Sequence, residues 1–225
     1  FGLRIFNPDG PEAEKSGQGL RIFARFLRDD SLTRGRSFTV DTLGGEVSCE
    51  VSTNVKSVKV EMGMVSFDST VISVAGVSRE VLNEELEIDN DVLTYCAATV
   101  GNPHCIVLSN DPTPDQARHY VPKIEVNPRF PNRTNVQFMK VIDRNNIKIE
   151  IWERGAGYTL ASGSSSTAAA AVAHKLGMCE PDIIVQMPGG SLLIQFSKEF
   201  FATMTGPVTK ICEGVMTEEM FKDGF

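Results

Sequence analysis

No apolar run in this chain approaches the ~20 residues that a membrane-spanning helix needs. Cysteine is sparse and unpaired. Cys49, Cys96, Cys105, Cys179 and Cys212 are odd in number, far apart, and never spaced as C-x-x-C. That excludes a disulfide framework, leaves zinc or another metal without a ligand set, and points to a reducing, cytoplasmic compartment. Basic charge is also short: 22 Lys and Arg stand against 29 Asp and Glu, a net charge of −7. Nucleic acid, which needs a basic face, is therefore not the expected partner. An initiator methionine and a signal peptide are lacking as well. The chain opens on Phe1, and Gly2 to Phe6 reads as a strand already in progress, so an opening segment ahead of it is expected. What is present is an ordinary globular composition, with 41% apolar and 23% charged residues over 225 positions. This excludes disorder and suffices for one large domain or two small ones.

The pattern along the chain is of many short strands and few helices. Asn7-Pro8-Asp9-Gly10 is a turn signal. Leu20, Phe23 and Leu27, with Ile22 and Phe26 beside them, recur at helical spacing, which predicts a helix from about Gly17 to Asp30 with Ser16 near its N-cap. Alternation through Phe38–Val40, Val47–Val51 and Val55–Val60 predicts strands. The acidic stretch 83–91 reads as loop, with a short edge strand open at Leu86 and Ile88. A strand is expected over Cys105–Leu108, a short helix over Pro112–Val121, and strands over Val136–Val141 and Ile147–Trp152. Ala161 to Thr167 reads as a loop leading into a helix over Ala168–Leu176, stopped by Gly177. Strands over 183–187, 192–196, 201–205 and 209–215 close the chain, with Pro188-Gly189-Gly190 as a hairpin turn. The second helix is mostly Ala on every face, as a buried helix would be. Ser16-Gly17 and Ser162-Gly163 each end a loop and open a helix. The simplest architecture is α+β, two strand-rich halves each wrapped round one helix.

Chemistry concentrates where turns meet helices. A helix N-terminus presents free N–H groups and a positive dipole end, so it holds carboxylates. Two such ends, at Ser16-Gly17 and Ser162-Gly163, are able to close on one small anion, although Ser is also simply a preferred N-cap. Glu153-Arg154-Gly155 runs straight into the second loop and suits a zwitterion, with Glu153 for an ammonium and Arg154 for a carboxylate. A solvated ion pair is the plainer reading of those two. His104 sits between a turn and an apolar strand, where a structural role is commoner than a catalytic one. His119 and His174 read as residues without function. Asn132-Arg133-Thr134 matches a glycosylation sequon by chance.

Five segments together resemble the diaminopimelate epimerase family of pyridoxal-phosphate-independent amino-acid racemases. They are Phe6-Asn7-Pro8-Asp9-Gly10 with Ser16-Gly17-Gln18-Gly19, Gly101-Asn102-Pro103-His104, Phe130-Pro131-Asn132-Arg133-Thr134-Asn135, Trp152 to Gly157, and Thr159-Leu160-Ala161-Ser162-Gly163. Met204-Thr205-Gly206-Pro207 fits too, and order and spacing agree over nearly the whole chain. The resemblance implies two pseudo-symmetric, barrel-like halves, each round a central helix. These would be a first half over 1–60, completed by about 208–225, and a second over 61–207. It also implies a homodimer, a small amino-acid substrate, and chemistry without a cofactor. The two catalytic positions of the family fall on Ser16 and Ser162, where the family has cysteines that exchange protons with opposite faces of the substrate Cα. Asn7, Asn102, Asn135, Glu153 and Arg154 fall on substrate-binding positions. Gly17 and Gln18 fall on one anion-binding loop, Gly163 and Ser164 on the other, and His104 beside the catalytic pair.

A serine hydroxyl is a far weaker acid than a thiol of pKa ~8.5 and needs an adjacent base. Three readings follow for the pair. Ser16 and Ser162 are activated through His104 and Glu153; or both are engineered replacements of cysteine; or the pocket binds an amino acid, or dehydrates it, without racemising. The departures at Gln18 and Ser164 favour natural divergence, because blocking proton transfer would not require them.

Overall fold

The structure is a computed structural model that describes residues 1–6, 10, 12 and 15–221. The turn signal at Asn7-Pro8-Asp9 falls outside the described residues, and so does Asn7 as a candidate contact.

The fold is α+β, dominated by one twelve-stranded sheet. Its strands are β1 (Ser37–Thr42), β2 (Gly45–Val51), β3 (Ser57–Met64), β4 (Glu84–Ile88), β5 (Asp91–Thr99), β6 (Pro103–Leu108), β7 (Asn135–Asp143), β8 (Asn146–Glu153), β9 (Gly157–Thr159), β10 (Asp182–Met187), β11 (Gly190–Phe196) and β12 (Phe201–Pro207). They lie in the order β1-β2-β3-β12-β11-β10-β8-β7-β6-β5-β4, with β9 added on β8. Neighbours are antiparallel except β6/β7 and β8/β10, which are parallel. The stretch 83–91 forms the edge strand β4 rather than a loop, since Leu86 and Ile88 point inward while Glu85 and Glu87 stay wet. The strand expected at Gly2–Phe6 reduces to isolated bridges, Gly2 to Asp41 and Phe6 to Glu12. The strand expected at 209–215 is absent, because nothing pairs with it and Ile211 and Val215 stay exposed.

Helix α1 (Gly17–Asp29) begins at Ser16, an extended residue whose Oγ accepts from the Gly19 N–H at 3.1 Å. Leu20, Ala24 and Leu27 form its buried stripe, while Ile22 and Phe26 remain exposed. Helix α4 (Gly163–Lys175) starts five residues before the expected Ala168, because Ser162 is its N-cap. Every residue from Ser165 to Ala173 is buried, and β5 to β8 and β10 to β12 all pack on it. Small side chains make that possible. The hydroxyls that burial would strand are satisfied by the helix itself: Ser166 donates to Ser162 O at 2.7 Å and Thr167 to Gly163 O at 2.9 Å. Short α2 (Ser69–Ile72) follows β3. Helix α3 (Pro114–Glu125), capped by Thr113, packs on β7 and β8 and extends four residues past the expected end at Val121.

One apolar core joins residues of α1 and α4, and a second gathers under α3 around Tyr95, Phe130 and Phe138. All five cysteines are free. No helix among the described residues is long and apolar enough to cross a membrane.

Candidate active site

The N-termini of α1 and α4 meet. A Cβ built on Gly163 would lie 3.5 Å from Gly17 Cα, and 2.9 Å from Sδ of the fully buried Met204. One built on Gly17 would lie 2.6 Å from Cε of the same Met204. Close approach, not backbone conformation, therefore requires glycine at both positions.

A cleft of about 390 Å³ opens over this junction. Ser16, Gly17 and Gln18 line one wall, and Ser162, Gly163 and Ser164 the other. Asn102, Asn135, Glu153 and Arg154 also line the cleft. Each comes from a distinct place in the sheet: Asn102 from the β5–β6 turn, Asn135 from the first position of β7, and Glu153 and Arg154 from the end of β8. The described residues picked from sequence thus converge, His104 excepted. A larger groove of about 710 Å³ lies between the outer face of α1 and residues 208–215, and it gathers none of them.

Polar contacts fix the lining. Asn135 Oδ1 accepts from the Arg154 N–H at 2.9 Å, and its Nδ2 donates to Pro103 O at 2.8 Å, so this side chain staples β8 to the start of β6. Asn102 Nδ2 lies 3.5 Å from Ser164 Oγ. Arg154 donates to Asn132 O at 3.0 Å. Glu153 and Arg154 form no ion pair with each other, so the plainer reading of them does not describe this geometry. Ser162 Oγ accepts from the Ser165 N–H at 3.4 Å. Both serines thus spend their oxygen on helix capping and keep their O–H free to donate.

His104 sits behind the lining, not in it. It is fully buried, with Nε2 3.0 Å from Asn102 Oδ1. Burial pushes its pKa down to about 3, helped by the Arg154 charge and opposed by the Gln137 side chain, whose oxygen favours a protonated ring. A neutral imidazole that does not reach the cleft orients Asn102. His119 lies near Asp89 at the surface, and His174 holds Cys179 O at 3.0 Å.

Two residues escaped the sequence reading. Lys15 lines the cleft beside Ser16. Its Nζ donates to Met62 O at 3.0 Å and approaches Glu61 O at 3.5 Å. A bulge turns those carbonyls outward: Thr203 faces Glu61 and Ala202 faces Gly63, leaving Met62 unpaired. Burial lowers the Lys15 pKa. A lone lysine before a helix carries no motif that would have marked it. Glu125 is the other, treated below. No cysteine lines the cleft, and burial pushes the Cys49 thiol, which feels the Lys15 charge, up to about 11.

Comparison with known proteins agrees with this geometry. The chain is 57% identical over 221 residues to diaminopimelate epimerase 2 of Nostoc sp., a match covering 98% of this chain and 78% of that protein. It is 36% identical to diaminopimelate epimerase of Alkaliphilus metalliredigens, over 98% of this chain and 79% of that one. Among solved structures, a probable proline racemase from Agrobacterium radiobacter aligns with a TM-score of 0.70 at 14% identity, covering 99% of this chain and 73% of that one. A hydroxyproline epimerase from Agrobacterium vitis aligns at 0.67 and 15%, covering 92% and 67%. At those identities the two structures speak to the fold alone. The family profile described as diaminopimelate epimerase matches residues 1–67 and 96–211, and the chain belongs to that family.

Proposed function

We propose that the chain is a cofactor-independent amino-acid epimerase of the diaminopimelate epimerase type, in which one of Ser16 and Ser162, entering as its alkoxide, takes the Cα proton while the other gives its hydroxyl proton to the opposite face and is left as the alkoxide. The observation that carries this is the abutment of two helix N-termini, each capped by a serine, across one cleft. The substrate carboxylate lies where the two sets of free N–H groups converge. Glu153 and Arg154, unpaired with each other, receive the remaining ammonium and carboxylate. With the carboxylate held between the helices, Cα lies between the two hydroxyls, the arrangement that inversion requires. The division into halves at residue 60 and a homodimeric assembly belong to the same proposal.

One observation favours a second reading, an amino-acid-binding homologue that no longer racemises. Among the described residues, neither serine touches a base. His104 is walled off behind Asn102, and Glu153 makes no contact with either hydroxyl. Incubation with meso-diaminopimelate in deuterated buffer separates the two. Deuterium at Cα, read by mass spectrometry, supports the epimerase. Binding in a calorimeter without exchange supports the second reading.

A further inference from the structure

The turn between β8 and β9 carries Arg154 and follows Glu153, and residues 154–156 of it are exposed. An exposed turn presents its side chains in one geometry only if its backbone is tied to something rigid. Ala156 N–H to Glu153 O, at 3.0 Å, closes the turn on itself. The Gly155 N–H points inward instead, donating to Glu125 Oε1 at 3.0 Å. Glu125 is the last residue of α3 and is 5% exposed. Its carboxylate accepts two further bonds, from Trp152 Nε1 at 3.0 Å and from Arg133 at 2.5 Å.

A buried carboxylate is unfavourable unless its lone pairs are filled. Here donors from α3's neighbours β8, the 131–134 loop and the turn itself fill them, so the anion and the turn hold each other. Glutamine has the same shape but one acceptor oxygen, so its NH2 must face either the Trp152 N–H or the Gly155 and Arg133 donors where an acceptor now stands.

We propose that Glu125 is a positioning residue: it fixes the β8–β9 turn so that Glu153 and Arg154 face the cleft. The proposal rests on the reading of the cleft as an amino-acid site. It assigns Glu125 no contact with the ligand.

The test uses the full chain, amide hydrogen exchange by NMR, and calorimetry with meso-diaminopimelate as the probe. In the parent, the Gly155 amide should exchange at least about 100-fold more slowly than an unstructured glycine amide, although its residue is exposed. In Glu125→Gln that protection should fall at least about tenfold at Gly155 and Arg154, while β7 and β10 keep theirs. The indole N–H resonance of Trp152, the only tryptophan, should move. Affinity for the probe should weaken at least about tenfold. Arg133→Gln removes one donor and spares the Gly155 bond, so it should lower the melting temperature yet leave affinity within about twofold. Fast exchange of Gly155 in the parent overturns the proposal, and so does unchanged exchange of the turn in Glu125→Gln. If Glu125→Gln fails to fold, the parent's Gly155 amide decides. If the exchange results hold and the parent does not bind the probe, the reading of the cleft fails while the hold of Glu125 on the turn stands.

Discussion

At the scale of residues, the proposed amino-acid site carries serine, a weaker acid than cysteine, at both positions assigned to proton transfer. A hydroxyl shares its proton poorly near neutral pH, whereas a thiol at a helix N-terminus does so readily. Ser16→Cys with Ser162→Cys should therefore raise Cα–proton exchange by about 10²–10⁴-fold. Either change alone should exchange one face and invert poorly, because inversion needs a donor opposite the base, so the two changes should be far from additive. A double variant that binds its amino acid and exchanges no faster than the parent would assign the deficit to geometry. Arg154→Ala should weaken binding roughly 10–100-fold with the melting temperature unchanged, since its lost bonds are charge-assisted. Unchanged affinity removes Arg154 from the site.

His104 makes a separate prediction, about pH. Its folded pKa of about 3 lies below the ordinary value of 6.5. Between the two the unfolded chain takes up a proton and the folded chain does not. The stability from this residue is therefore complete above pH 6.5 and is lost as pH falls towards 3, reaching about 2 kcal/mol at pH 5. Denaturant unfolding at pH 7.5 and 5.0 should show that loss in the parent, and His104→Gln should lack it. Equal slopes in both proteins would mean that the imidazole is not held neutral.

At the scale of elements, the decisive contact is between the two helix N-termini across Met204. Gly163→Ala places a methyl 2.9 Å from the sulfur of the fully buried Met204, which must shift to admit it. The cost should be about 1–3 kcal/mol. Shortening the obstacle with Met204→Val should reduce it, giving a coupling energy of about 0.5–3 kcal/mol in a double-mutant cycle of unfolding free energies. Strict additivity would mean that the helices do not meet as described. The two helices differ in enclosure. α4 is wrapped on nearly every face, while among the described residues α1 is covered along Leu20, Ala24 and Leu27 and leaves Ile22 and Phe26 in solvent.

At the scale of the molecule, the sheet runs without a break from β1 to β4, and one core includes residues of both central helices. Opening either half exposes apolar surface of the other, so calorimetry should record one cooperative unfolding transition. Two separated transitions would show that the halves fold independently.

The sequence by itself determined most of the elements, the fold class and the family. Alternation marked β1, β2, β10 and β11, because each keeps one face in the core and the other nearer water. Ser16 and Ser162 were legible as helix starts because capping is local chemistry. β5 was not legible: Tyr95 to Thr99 is buried on both faces, so it has no alternation to read. The first turn of α4, Gly163-Ser164-Ser165-Ser166-Thr167, was read as loop although its cap was legible, since Ser and Gly are commoner in loops than in helices; Ser166 and Thr167 are satisfied by carbonyls one turn back. The tail at 209–215 alternated without a partner to pair with. Tertiary structure alone decided that His104 lies behind Asn102, that Lys15 is held by a bulge more than forty residues away, and that Glu125 anchors the turn bearing Arg154. Each of these depends on which strands become neighbours. Hairpin pairs such as β10/β11 are encoded by their turns, but pairing between strands distant in sequence is set by packing over the whole sheet, and no local run of residues encodes it.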